Sequence, residues 1–184
     1  MRLLIIGAGG HGRCCLDIAK SMNRYDFISF LDNQYVGEII NDTKVVGSFD
    51  DFEKVYDDYD EFFIAVGNNH LRFKLNQRIQ NVKGAIATLI SPLAIISPYA
   101  MIGNGCVIFP QTVIEANAVI KQQCIIAANV VINHDAIINA FSLVNTGSIV
   151  RPEAAVGKFC KIDSLCYIPF GNKIPDDTEI IHKG

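Results

Sequence analysis

Residues Ala94 to Ile120 read AIISPYAMIGNGCVIFPQTVIEANAVI, and every sixth position carries the same kind of side chain. Ile96, Ile102, Ile108, Ile114 and Ile120 are β-branched aliphatics spaced six apart. The column continues without an insertion through Ile126, Ile132, Ile138, Val144, Val150, Val156, Ile162, Ile168 and Ile174 to Ile180. A second column lies two residues before each of these. It opens with Ala94, Ala100, Cys106 and Thr112, and Asn172 is its one member that is neither small nor slender. A period of six fits neither a helix, near 3.6, nor an alternating strand, at 2. It is the period of a hexapeptide β-helix.

The geometry follows from that period. Each hexad supplies a short strand and a corner, and three hexads close one triangular coil. Fifteen hexads therefore give five coils, stacked at about 4.8 Å, the spacing of hydrogen-bonded strands. The β-branched residue fills the prism interior and the small residue sits beside it, where space is short. Each buried aliphatic contributes roughly 1.5–3 kcal/mol before chain entropy is charged. Such a one-dimensional core needs neither disulfide nor metal. Cys106, Cys124, Cys160 and Cys166 fall in the small column and read as core fillers. Cys106 and Cys124 stack in adjacent coils, where a bridge is conceivable and reduced thiols are the favoured reading.

Bulk properties narrow the function classes. The chain has 184 residues, half of them hydrophobic and 19% charged, with a net charge of −3. No basic stripe appears, which argues against nucleic acid or an anionic membrane as the main partner. The opening MRLLIIG has too short an apolar run for a signal peptide, and no later run is long enough to span a membrane. The expectation is a cytoplasmic protein. No Cys/His spacing suggests a metal site.

Upstream of the hexads the pattern alternates strand and helix, as in a small parallel α/β domain. Strands are expected over residues 3–6, 27–31 and 61–66, with a shorter one at 45–47. Helices are expected over 12–22, over the acidic 50–59 segment, and over 70–80 with Leu71, Leu75 and Ile79 inward. Residues 85–90 form a last extended piece, and Ser91-Pro92 marks the boundary. The domains are thus 1–90, Rossmann-like, and 91–184, the β-helix.

Gly7-Ala8-Gly9-Gly10-His11-Gly12 fits G-x-G-x-x-G between a strand and a helix, with Asp32 twenty residues past Gly12. Such glycines let the backbone approach a diphosphate at a helix N-terminus. Asp32 suits a ribose hydroxyl or a base edge, and His11 suits phosphate or sugar. About ninety residues make only one mononucleotide-binding half, so one nucleotide diphosphate is expected rather than a nicotinamide dinucleotide. Gly67-Asn68-Asn69, at the end of another strand, should reach the same rim, as a ligand contact or a plain helix cap. In the prism, His134 sits at a corner between Asn133 and Asp135, with small or inert residues such as Ala116 and Pro152 at the equivalent places. An unhindered histidine there suits a general base, and Asp135 can orient it.

These features in this order resemble the bacterial nucleotide-sugar acetyltransferases of the bacillosamine and perosamine type, and the sialic acid O-acetyltransferase branch beside them. The resemblance rests on Gly7–Gly12, Phe30-Leu31-Asp32-Asn33, Ala65-Val66-Gly67-Asn68-Asn69 and a hexad prism carrying His134-Asp135, and spans essentially the whole chain. It implies a left-handed parallel β-helix, against the usual right-handed crossover. It also implies acetyl-CoA as donor and a homotrimer with active sites between neighbouring prisms. His134 matches the catalytic base, with Asp135 as its partner. Gly9, Gly10, His11, Gly12, Asp32, Asn33, Gly67 and Asn68 match the sugar-nucleotide pocket. Asn145, Gly147 and Ser148 fall where the pantetheine arm runs. The chain departs from the family pattern at Ala127, Asn133 and Leu143. The implied reaction is N-acetylation of a nucleotide-linked 4-amino-4,6-dideoxy sugar for surface glycan synthesis. The alternatives are O-acetylation of sialic acid or another sugar, and a non-catalytic sugar-nucleotide-binding trimer.

Overall fold

The computed structural model describes residues 1–182 and divides into two compact units, Met1–Leu89 and the residues from Ile90 onward. The first is built on strands β1 (Arg2–Ile6), β2 (Phe27–Leu31), β3 (Ile39–Ile40), β4 (Thr43–Gly47) and β5 (Glu61–Ile64). They form one sheet in the order β3-β4-β2-β1-β5. All neighbours are parallel except β3 and β4, a short antiparallel hairpin at the edge. Helix α1 (Gly10–Ser21) links β1 to β2, and α3 (Asn69–Asn81) follows β5. The chain leaves β1 toward β2 on one side and returns at β5 on the other. The carboxyl ends of β1 and β5 thus flank a topological switch point, where ligands of open α/β sheets bind.

Several expectations shift in detail. Helix α1 begins at Gly10, two residues early, because glycine at Gly9 and Gly10 permits the turn without a capping side chain. The acidic 50–59 segment is not one helix. It forms the four-residue α2 (Phe52–Val55) between two 3₁₀ turns. Ser48 and Asp51 close a capping box there, and the run of aspartates that follows does not support a longer helix. In α3, Leu75 and Ile79 are buried as expected, but Leu71 is exposed and Arg72 takes the buried place. Leu89–Ile90 joins no strand of the α/β sheet. It pairs with Val107–Ile108 as an additional rung of the prism.

From Ile90 onward the chain makes two-residue strands every six residues, arranged in three parallel sheets. Each strand pairs with the one eighteen residues away, as Val113–Ile114 does with Val131–Ile132 and that pair with Ile149–Val150. The column residues from Ile108 to Ile168 are buried in one continuous core, with Ile96, Ile102, Ile174 and Ile180 partly buried at its ends. Every corner from Gly105 to Asp177 places one residue at positive φ, again every six residues.

The small column does more than save space. Ser142 Oγ donates to Gly157 O at 2.7 Å and Ser148 Oγ to Asp163 O at 2.8 Å. Thr112 Oγ1 reaches Ala127 O at 3.0 Å, and Cys106, Cys124 and Cys160 donate through sulfur to Lys121, Asn139 and Pro175 carbonyls. Each side chain reaches fifteen residues on and satisfies a carbonyl at a corner. The column residue one coil on, eighteen positions later, donates its N–H back, as Cys160 N does to Ser142 Oγ at 3.0 Å and Cys124 N to Cys106 Sγ at 3.4 Å. All six cysteines are free thiols. The ladder explains why serine, threonine and cysteine alternate with alanine: each is small enough, and three of the four bring a donor. Ser142→Ala should therefore cost about 1–3 kcal/mol, by stranding the buried Gly157 carbonyl. Cys160→Ser should be tolerated far better than Cys160→Val. Chemical denaturation followed by far-UV circular dichroism checks both.

Candidate functional site

At the switch point of the first unit, the four glycines of the Gly7–Gly12 segment have different reasons to be there. Gly7 has φ +110°, and a Cβ on it would lie 2.7 Å from Ala65 O. A Cβ on Gly12 would lie 2.0 Å from Gly7 O. Both are demanded by close packing of the loop on its neighbours. Gly9 has nothing within 4 Å of where its Cβ would be, and Gly10 only the tip of Arg13. No packing requires them. Gly9 caps α1 without a side-chain bond, and the first turn has no acidic residue. The positive end of α1 is therefore left open to an anion.

Asp32, expected to receive a ligand hydroxyl, already holds the loop together. Its Oδ2 accepts from Ala8 N and its Oδ1 from Gln34 N, both at 2.8 Å. Any contact to a ligand must use the remaining lone pairs of the same oxygens. Asn33 Oδ1 accepts from Phe49 N at 2.8 Å, which ties β2 to the following turn. His11 is not the exposed loop residue the sequence suggested. It is largely enclosed, with Nε2 3.6 Å from Cys15 Sγ. Burial, and then the positive charge of Arg72, lower its pKa to about 4. At neutral pH it is a neutral ring with one donor and one acceptor. Burial also pushes the Cys15 thiol up, which makes it inert.

The second rim, after β5, is organised by a residue to which the sequence assigned no role. Arg72 is fully buried. Its Nη1 donates to Val66 O at 2.8 Å and Gly67 O at 3.2 Å, and its Nη2 to Asn69 Oδ1 at 2.8 Å. Asn68 Oδ1 caps α3 by accepting from Leu71 N at 2.9 Å. Of the two readings open for Asn68, ligand contact or helix cap, its oxygen makes the cap. Gly67 is exposed, with open space where a Cβ would be. The sequence signal for Arg72 was an arginine on the face of α3 that Leu75 and Ile79 bury.

In the second unit, strand Val131–Ile132 ends in the corner Asn133-His134-Asp135-Ala136 before Ile137–Ile138. His134 Nδ1 lies 2.7 Å from Asp135 Oδ2, and the two side chains are 53% and 48% exposed. Hydrogen bonds from His134, and then from Asn117, hold the Asp135 carboxyl below its ordinary range. It is ionised and pins Nδ1, so Nε2 is the nitrogen turned to solvent. Asp135 also occupies the left-handed position of the turn, with φ 60°. The His134 N–H donates to Glu115 Oε2 at 2.9 Å. Sequence reading passed over Glu115, although a coil of eighteen residues places it beside Asn133.

The other prism residues singled out lie two corners on. Asn145 Nδ2 donates to Ile162 O at 2.9 Å, as Asn139 Nδ2 does to Val156 O at the preceding corner. Gly147 has φ +72°. Ser148 is fully buried, and its hydroxyl serves the interior ladder through Asp163 O and Cys166 N. Its side chain cannot line a pantetheine channel, because the small column points inward. Among the described residues, no group of three His, Cys, Asp or Glu side chains could hold a metal ion. No helix there is long and apolar enough to cross a membrane.

Residues 2–79 match the family model of the PglD N-terminal domain, and residues 90–182 that of the GMPPB C-terminal domain. The chain is 32% identical over 104 residues to a UDP-N-acetylbacillosamine N-acetyltransferase of Bacillus subtilis, an alignment covering 55% of this chain and 48% of that protein. It thus spans about half or less of the curated relatives it matches. The acetyltransferase domain of PglB from Neisseria gonorrhoeae, solved in complex with acetyl coenzyme A, superposes with a TM-score of 0.73 at 27% identity, over 96% of this chain and 97% of that one. A mutant perosamine N-acetyltransferase from Caulobacter crescentus, in complex with CoA and GDP-perosamine, reaches a TM-score of 0.81 over 97% and 92% of the two chains. At 17% identity it shows likeness of fold. These folds make the prism a left-handed β-helix.

The enclosed His11 has a measurable consequence. Its native pKa, about 4, lies below the ordinary 6.5, so between these values the unfolded chain binds one more proton than the native one. Stability of the first unit should therefore fall as pH drops through that window and level off below it, by up to about 3 kcal/mol. Thermal melts from pH 7 to 4 check this, and His11→Asn should flatten the slope.

Proposed function

We propose that this chain, which belongs to the bacterial nucleotide-sugar acetyltransferases with a PglD-type N-terminal domain and a GMPPB C-terminal-domain prism, is an acetyl-CoA-dependent N-acetyltransferase acting on a nucleotide-linked 4-amino-4,6-dideoxy sugar. The observation that carries the reading is the His134–Asp135 pair, at 2.7 Å, on an unobstructed corner of the prism. The open glycine loop at the switch point of the first unit supports it from the substrate side. The product would serve surface glycan synthesis. Six free thiols suit a reducing cytoplasm.

The chemistry assigned to each group is simple. Asp135 keeps the proton of the imidazole on Nδ1, so Nε2 is basic. His134 takes a proton from the sugar amine as its nitrogen attacks the thioester carbonyl carbon. A tetrahedral intermediate forms, the carbon–sulfur bond breaks, and the imidazolium returns a proton to the leaving thiolate. Backbone N–H groups near the following coil supply the natural donors for the oxyanion. Asn145 and Gly147 line the proposed path of the donor. In the first unit Gly9, Gly10 and Gly12 would receive the diphosphate, and His11, Asp32, Asn33, Gly67 and Asn68 the nucleotide or sugar, Asp32 and Asn68 by the atoms their structural bonds leave over.

The working unit is proposed to be a homotrimer with sites between prisms. Support comes from the outward column of one sheet, Ile95, Val113, Val131, Ile149 and Tyr167, which is apolar throughout. Ile95 is 67% exposed and Tyr167 58%. The adjoining sheet shows Met101, Val119, Ile137 and Ala155 outward, and its column ends in Lys173. Contiguous exposed apolar surface of this kind marks an interaction face. The corner with His134 lies between the two.

Acetyl-CoA with a panel of UDP-, dTDP- and GDP-linked 4-amino sugars, and with sialic acid, tests the reading through CoA release. Turnover with a 4-amino sugar is expected; turnover with sialic acid alone would replace N- by O-acetylation. His134→Ala should lower kcat by about 10²–10⁴-fold. Light scattering should give a trimer, and the double variant Ile149→Glu with Tyr167→Glu should run as a monomer with little activity.

A further inference from the structure

We propose that the corner one coil before the His134–Asp135 pair, Glu115-Ala116-Asn117, is a positioning shelf for it, in which Glu115 holds the His134 backbone. The inference rests on His134 being the base. Three hydrogen bonds tie this corner to the strand end and corner that carry the pair, two of them to the pair itself. Glu115 N donates to Ile132 O at 2.9 Å and Asp135 N to Ala116 O at 3.1 Å, which locks the two backbones together. The Glu115 carboxylate accepts the His134 N–H, a charge-assisted bond at 2.9 Å. Asn117, at the same corner, helps His134 hold the Asp135 carboxyl below its ordinary range.

The need for such a shelf follows from exposure. His134 is more than half exposed, so packing does not choose its rotamer. The aim of the ring must come from hydrogen bonds. Ala116, directly behind it in the stack, offers a methyl group and no wall. The coil on the far side contributes only a long 3.4 Å bond, from Glu153 N to His134 O. Fixing the imidazole therefore falls to Glu115 through the main chain and to Asn117 through Asp135.

The plain alternative is that Glu115 only stabilises a turn. Asp176 does so elsewhere, accepting from Lys158 N at 2.7 Å at a corner with no part in the chemistry. That pair gives a matched control. The experiment compares Glu115→Ala, Glu115→Gln, Asn117→Gly and Asp176→Ala in the intact protein. Glycine at 117 keeps the φ of 59° that the turn requires. Glu115→Ala and Asn117→Gly should lower kcat about ten- to hundredfold, as small misplacements of a catalytic group do, with KM for both substrates unchanged. Glu115→Gln should restore kcat to within about threefold, since its amide oxygen still accepts the N–H. Amide exchange at His134 should quicken in Glu115→Ala and not in Glu115→Gln. Asp176→Ala should lower the melting temperature and leave kcat alone. A Glu115→Ala enzyme with full kcat, or with unchanged exchange at His134, overturns the shelf. If the wild type acetylates nothing in the panel, the functional reading fails, while the exchange measurement still decides whether Glu115 holds His134.

Discussion

The hydrogen bond from each coil to the one eighteen residues on is the constraint from which the rest of the prism follows. Val131 N bonds Ser148 O at 3.0 Å, and Asn133 N bonds Val150 O at 2.9 Å. Every strand repeats this pattern. It forces one wide residue per hexad to point inward and one narrow residue beside it. It also forces one residue per corner into the left-handed region, at a cost of roughly 1–2 kcal/mol where that residue is not glycine. Asparagine and aspartate bear that conformation best, and they hold it at Asn117, Asn129, Asp135 and Asp177. Phe141, Phe159 and Leu165 hold it too, over-determined by the bonds on either side. At Asp135 the fold's demand coincides with that of the chemistry. The residue that makes the turn is the residue that fixes the imidazole.

The first unit solves a different problem. Its rim must stay open, and open backbone is unstable unless something behind it is fixed. Gly7 and Gly12 let the loop close against its own backbone, Asp32 ties Ala8 to β2, and Arg72 gathers the carbonyls at the end of β5. The polar groups nearest the proposed ligand are thus spoken for before any ligand arrives. That arrangement favours a preorganised site, in which binding need not order the loops first.

Much of this was legible in the sequence, and the illegible parts share a cause. The period of six yields the prism, its five coils and the inward role of four cysteines, because in a repeat the neighbours of each residue are known from its position. Where neighbours come from distant sequence, reading failed. Arg72 shares the sequence of the rim after β5, but only the fold shows that the Val66 and Gly67 carbonyls receive its guanidinium. Asp32 and Asn68 have side chains that suit ligand and backbone equally, and the backbone had first claim. Ser148 was misread for another reason. Its place in the small column already said that it points inward, and the resemblance outweighed that signal. Glu115 and Asn117 were within reach by adding eighteen, as were Ile90 and its rung by subtracting six. The period was applied to the interior columns and not to the corners.

Exposure of the dyad would tie the proposed chemistry to the proposed assembly. An aspartate and an imidazole about half open to water interact through a high effective dielectric. There, a pair of unit charges 4 Å apart gains about 1 kcal/mol, against about 4 kcal/mol near a protein surface that excludes most solvent. The stabilisation that Asp135 can lend to a protonated His134 is therefore small in an isolated prism. It grows once another surface covers the corner. The two sheets that meet at His134 present apolar columns, the kind of surface that gives up water readily. A neighbouring prism seated there would raise the strength of the same 2.7 Å contact without moving an atom of it. In the proposed trimer the apolar faces would supply the dry environment and the coil stacking the geometry, and the proposed base, His134, would need both.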